Sequence, residues 1–138
     1  MSTYNYKPGL GSVGSYQVSG IPYVKGPITN ASTGGGPFKL TFPQVTKFIS
    51  VTNTDAADTE LLCGFSSLGL SELTNVFVVP GGQTLQLELK VTELYYTGSI
   101  SAFGVVAGLT GIPNTAINNP NVSPSGSNWS GSLGALVG

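Results

Sequence analysis

Leu85-Gln86-Leu87-Glu88-Leu89-Lys90-Val91 is the stretch that decides how the chain folds. Leu85, Leu87, Leu89 and Val91 fall on one side at period two, and Gln86, Glu88 and Lys90 fall on the other. Such alternation marks a half-buried strand of an antiparallel sheet, with one dry and one wet face. The segments on either side repeat the pattern. Pro80-Gly81-Gly82 is a turn, and residues 60–66 and 75–79 before it form two short strands. Phe38, Leu40 and Phe42 alternate ahead of Pro43, and Val45, Ile49 and Val51 share one side of residues 45–53, with Lys47 at the exposed end. Asn53 opens a polar turn. Downstream, Glu93-Leu94-Tyr95-Tyr96 is a further strand, and residues 100–109 form the last. There Phe103, Val105, Ala107 and Leu109 make a large face, and Ala102, Gly104, Val106 and Gly108 a small one. No amphipathic helix exceeds a turn. About eight short strands spaced by turn signals predict an all-β, antiparallel β-sandwich; the eight-stranded double-sheet form of this class is the single jelly roll.

Composition narrows the function. The 138 residues are about one domain's worth. Five Lys, no Arg and six acidic residues make only 8% charged residues, against roughly 25% in an average soluble domain. Without His there is no Ser-His-Asp triad and no imidazole metal site. One Cys makes no internal disulfide, and Cys63, within Leu61-Leu62-Cys63-Gly64-Phe65, reads as a small buried hydrophobe. A net charge of −1 argues against direct nucleic-acid binding, which needs clustered positive charge. No apolar run approaches the ~20 residues of a membrane-spanning helix, and Met1-Ser2-Thr3-Tyr4-Asn5-Tyr6 has no secretory-signal pattern. No cofactor is expected.

The charge deficit is regional. No Asp, Glu, Lys or Arg follows Glu93, so the last 45 residues are uncharged. Residues 1–36 are rich in Gly and aromatics and read as an extended N-terminal arm with an edge strand at 15–19. There Pro8, Pro22 and Pro27 forbid a helix. Residues 37–110 carry the core, and residues 111–138 form an Asn/Ser/Gly-rich C-terminal tail that is either disordered or docks by Ile117, Val122 and Trp129. Uncharged polar surface loses less on desolvation than ionic surface, so it suits contact with other subunits.

Candidate chemistry is sparse. Asp55, Asp58 and Glu60 group around one loop, where oxygen ligands would suit Ca²⁺. Their spacing does not fit an EF-hand loop, and they read as a solvated turn. Gly9-Leu10-Gly11-Ser12-Val13-Gly14 spells a dinucleotide fingerprint but neither follows a strand nor opens a helix. Asn30, Asn121 and Asn128 stand in glycosylation patterns expected by chance in so Asn- and Ser-rich a chain. Glu88 and Glu93 lack the spacing of a hydrolytic pair, so no enzyme is expected. Aromatics in the arms, Tyr16, Tyr23 and Trp129 among them, dock on their own sheets, on a neighbouring subunit or on sugar rings. Gly104 and Gly108 suggest a bulge or the close approach of another backbone. Tyr16, Tyr23, Gly104, Gly108 and Trp129 are thus the candidate subunit-interface residues.

Four segments resemble a known family. Gly14-Ser15-Tyr16-Gln17-Val18-Ser19-Gly20-Ile21-Pro22-Tyr23-Val24 is similar to the entry segment of small single jelly-roll capsid proteins of large icosahedral DNA viruses. Phe42-Pro43-Gln44-Val45-Thr46-Lys47-Phe48-Ile49-Ser50-Val51-Thr52-Asn53-Thr54 resembles their first long core strand. Leu89-Lys90-Val91-Thr92-Glu93-Leu94-Tyr95-Tyr96 and Phe103-Gly104-Val105-Val106-Ala107-Gly108-Leu109-Thr110-Gly111-Ile112-Pro113 resemble their closing pair. The closest pattern is that of penton, or vertex, proteins of nucleocytoplasmic large DNA viruses and their relatives, over roughly residues 14–113. These motifs are strand patterns, with no catalytic signature to carry over. The resemblance implies a homopentamer in the virion that closes the icosahedral fivefold vertices, is assembled in the host cell, and contacts the major capsid protein together with minor capsid proteins or a vertex spike. The alternative is a carbohydrate- or receptor-binding module of fibre-head or lectin-like type, to which the arm aromatics, the Asn/Ser loops and the acidic loop point.

Overall fold

Alternating segments become strands because period two puts every second side chain on a face that another sheet can cover. In the computed structural model, which describes residues 20–29, 37–55, 59–73, 75–98, 102–117, 129 and 137, this yields eight strands. They are β1 (Ile21–Ile28), β2 (Phe38–Thr41), β3 (Gln44–Asn53), β4 (Glu60–Gly64), β5 (Phe77–Pro80), β6 (Thr84–Leu87), β7 (Glu93–Gly98) and β8 (Phe103–Pro113). One short helix, α1 (Ser67–Ser71), separates β4 from β5. The strands form two four-stranded antiparallel sheets, ordered β1-β8-β3-β6 and β2-β7-β4-β5. The chain is thus nearly all-β, as its patterning predicts.

Both sheets contribute to one core. Ile49, Val51, Phe103, Val105, Ala107 and Leu109 come from the first sheet; Leu40, Leu61, Cys63, Val79, Leu94 and Tyr96 come from the second. Phe42 and Val91, on the segments that cross between sheets, complete it. Burying a large apolar side chain is worth about 1.5–3 kcal/mol, so this cluster is the main source of stability. A smaller cluster of Val45, Ile112 and Ile117 closes one end.

Strand pairing reaches beyond the 37–110 span expected for the core. Residues 21–28, within the expected arm, pair along β8 from Ile21↔Leu109 to Ile28↔Phe103. Pro22 and Pro27 are compatible with this because β1 is an edge strand, where a missing N–H breaks no ladder. At the other end β8 runs on to Pro113. The edge strand expected at 15–19 lies outside the described residues.

The regular part of the Leu85–Val91 pattern is shorter than its alternation suggests. Ladder pairing with β3 spans Thr84–Leu87 only. Burial still alternates: Leu85, Leu87 and Leu89 are half-buried, Val91 is buried, and Gln86, Glu88 and Lys90 are exposed. The ladder stops because β3 is irregular on both sides of Thr46. The Thr46 hydroxyl donates to the Leu89 carbonyl at 2.8 Å and accepts from the Val91 N–H at 3.1 Å, and the Thr46 N–H donates to the Val91 carbonyl at 3.0 Å. One buried side chain thus stands in for the missing ladder bonds while the chain crosses from the first sheet to the second.

Asn53, at the end of β3, is fully buried and hydrogen-bonded at every polar atom. Its Nδ2 donates to the Val79 carbonyl at 3.0 Å, across the two sheets. Its Oδ1 accepts from the Asp55 N–H at 3.0 Å. Its N–H donates to the Gln83 carbonyl and its own carbonyl accepts from the Gly82 N–H, fastening the β5–β6 turn. Gly82 has φ +76°, a conformation that a side chain at this turn position would strain.

Asn53→Leu should lower stability by about 1–3 kcal/mol, because it leaves the Val79 carbonyl buried without its donor. In urea titration the midpoint is expected to fall with little change in slope; an unchanged midpoint would show that the side chain contributes nothing.

Candidate interaction surface

The outer faces of the two sheets differ in chemistry. Register and pleat place Pro22 and Val24 of β1, Phe48, Ser50 and Thr52 of β3, Thr84 and Gln86 of β6, and Gly104, Val106 and Gly108 of β8 on the outer side of the first sheet. None of these is charged. Val24 and Val106 face each other across the ladder and are 70% and 44% exposed. Beside them lies a mainly apolar groove of about 310 Å³ bordered by Val24, Lys25, Gly26, Thr52, Gly104 and Val106. Thr52 and Thr84 link their hydroxyls at 2.9 Å. An exposed pair of valines on an uncharged sheet face is the surface most suited to being covered by another protein.

The second sheet carries charge on its outer side. Lys39 and Glu93 sit on the paired strands β2 and β7 and form an ion pair at 3.2 Å, with Glu93 buried and Lys39 half-exposed. The hydrogen bond and charge of Glu93 hold the Lys39 ammonium above its ordinary pKa.

The expected site residues do not form one cluster. Tyr23 packs against Phe42 edge-to-face at 5.2 Å, and burial raises its phenol pKa. Trp129 packs on both core clusters and donates its indole N–H to the Lys90 carbonyl. Both side chains are therefore engaged with their own subunit. Nearby, the Ser66 hydroxyl donates to the Val137 carbonyl at 2.8 Å and accepts from the Gly69 N–H at the start of α1. Residues of the tail thus dock here, while Val122 lies outside the described residues. So do Tyr16 and Asp58.

The two glycines differ. A Cβ at Gly108 would lie 2.4 Å from the Phe48 ring, so the space over this glycine is filled by a ring of its own sheet rather than by another backbone. A Cβ at Gly104 would meet only the Lys25 carbonyl, at 3.9 Å in ordinary contact; the tight position is Gly26, where a Cβ would stand 3.2 Å from the Gly104 Cα. Gly104 borders the groove; Gly108 lies farther along β8. Of the acidic loop, the Asp55 N–H bonds to Asn53 in an Asx turn, and Glu60 is exposed on β4. No three His, Cys, Asp or Glu side chains gather as metal ligands among the described residues. Cys63 lies in the core, where burial pushes its thiol up to about 12.

Sequence reasoning misses Val24 and Val106 as a pair. Each is visible in an extended segment, but only the β1–β8 register brings them together. Among the described residues no helix is long and apolar enough to cross a membrane. Searches against protein-family models, curated proteins and solved structures find no match to this chain.

The raised pKa values of Cys63 and Lys39 act in the same direction. Each group adds stability that is complete below its ordinary value, 9.0 for the thiol and 10.5 for the ammonium, and is lost as pH climbs through the folded-state value. The melting temperature should therefore fall as pH rises from about 9 towards 12, and Cys63→Ala should flatten the fall relative to wild type. At neutral pH a thiol reagent should modify Cys63 only as fast as the protein opens; immediate labelling of the native chain would contradict its burial.

Proposed function

We propose that this chain is a single jelly roll and a structural, non-catalytic capsid subunit: a penton protein, five copies of which close an icosahedral fivefold vertex. The observation that carries this reading is the strand order. β1 lies beside β8, β2 beside β7, β3 beside β6 and β4 beside β5, and every connection except β4–β5 passes from one sheet to the other. That is the order produced by winding one long antiparallel ribbon around a common core, the jelly-roll arrangement. A fold does not by itself assign a role. The resemblance to vertex proteins and the uncharged, valine-bearing outer face of the first sheet support the capsid reading. The chain would lie at virion vertices after assembly in the host cell, touching the major capsid protein and any minor capsid protein or spike. It spans no membrane by helix among its described residues.

A sugar- or receptor-binding module needs aromatic faces turned to solvent. Tyr23 and Trp129 are turned onto the core, so that alternative draws no support from the two described candidates.

Native mass spectrometry across a concentration series should give a closed species of five chains, and labelled protein should locate at particle vertices. A chain that stays monomeric at all concentrations and is missing from vertices would refute the reading.

A further inference from the structure

Leu73 is exposed at 62% and takes φ +55°. The left-handed region costs an L-residue roughly 1–2 kcal/mol, and solvent gains nothing from a leucine there. The conformation is held after α1 by hydrogen bonds from the Leu73 N–H to the Leu70 carbonyl and from the Asn75 N–H to the Gly69 carbonyl, both 3.2 Å. Leu73 borders a shallow pocket with Pro37, Leu70 and Thr97 but stays largely exposed among the described residues, a large apolar knob on a left-handed backbone.

The hole is on the other sheet. The groove beside Val24 and Val106 is mainly apolar, with Lys25 on its border, and Gly26 and Gly104 add no side chain to its lining. Its volume of about 310 Å³ accommodates a leucine side chain. Charge matches as well. Lys25, exposed beside Val24, is the only charged residue on β1 and β8. Glu72, exposed beside Leu73, is the only one between Leu61 and Leu87.

We propose that copies of this chain join head to tail, with Leu73 of one copy seated in the groove between Val24 and Val106 of the next and Glu72 set against Lys25. The proposal rests on the reading of the chain as a ring-forming subunit and names the contact that forms the ring. Knob and groove belong to different sheets, so each copy offers one surface and accepts a different one. This heterologous contact builds rings, whereas a two-fold dimer needs a self-complementary patch.

Charge reversal tests it with the full chain. Native mass spectrometry across a concentration series would compare wild type with Leu73→Asp, Val106→Asp, Lys25→Glu, Glu72→Lys and the double variant K25E/E72K. Unfolding midpoints would confirm that each variant is folded. Leu73→Asp and Val106→Asp should each raise the concentration of half-assembly by about tenfold or more. Each single charge reversal should weaken assembly several-fold, and the double reversal should restore it. Rings that persist unchanged in folded Leu73→Asp, or a double variant no better than its singles, would overturn this contact and leave the ring reading standing. A wild type that forms no ring would overturn that reading and the contact with it.

Discussion

The two sheets are held together by one shared apolar core, and the hydrogen bond from the Asn53 side chain to the Val79 carbonyl ties them at one buried point. It joins the end of β3 in the first sheet to β5 in the second, where both residues are fully buried. The same residue fixes the turn that returns the chain from β5 to β6. Moving the two sheets apart would strand a buried carbonyl and a buried amide together. Thr46 does similar work where β6 gives way to the crossing towards β7, and the Thr110 hydroxyl donates to the Val45 carbonyl at 2.7 Å near the far end of β8. Uncharged polar side chains thus fasten the sheets at the points where ladders stop. A chain with few charges can do this because amide and hydroxyl groups cost less to bury than ions, provided each finds its partner.

Much of this was legible in the residues. Alternation located β2, β3 and β8 within a few positions, and the small face of β8 was visible as Gly104, Val106 and Gly108. Strand order was not legible, because it rests on pairings such as Ile21↔Leu109 that no local pattern encodes. β1 was hidden by its own composition. Prolines and glycines resemble an arm, and only an edge position makes them acceptable in a sheet. The early end of β6 was equally hidden, since its cause lies in Thr46, some forty residues earlier in the chain. Gly108 suggests a bulge or the close approach of another backbone; the space over it holds the Phe48 ring, beside an irregularity in β3. Leu73 gave no signal, because a leucine after a short helix carries no mark of positive φ.

The low charge acquires a direction from the fold. Lys39 and Glu93 pair on the outside of the second sheet, while the outward residues of the first, Pro22, Val24, Phe48, Ser50, Thr52, Gly104, Val106 and Gly108, are all uncharged. The asymmetry follows from sequence: β8 lies in the stretch beyond Glu93 that has no charged residue at all. Because β8 sits inside the first sheet, beside β1 and β3, its small uncharged residues become the middle of an outer face rather than a rim. A face of this kind is poorly suited to solvent and well suited to a neighbour, which connects an unusual composition to the proposed capsid role.

The most direct measurement is a reconstruction of the assembled particle at side-chain resolution. Five copies are expected around a fivefold axis, each with the Val24–Val106 face of its first sheet covered by the second-sheet side of the adjacent copy. A map in which that face points to solvent, or in which the chain lies away from the fivefold axis, would contradict this arrangement.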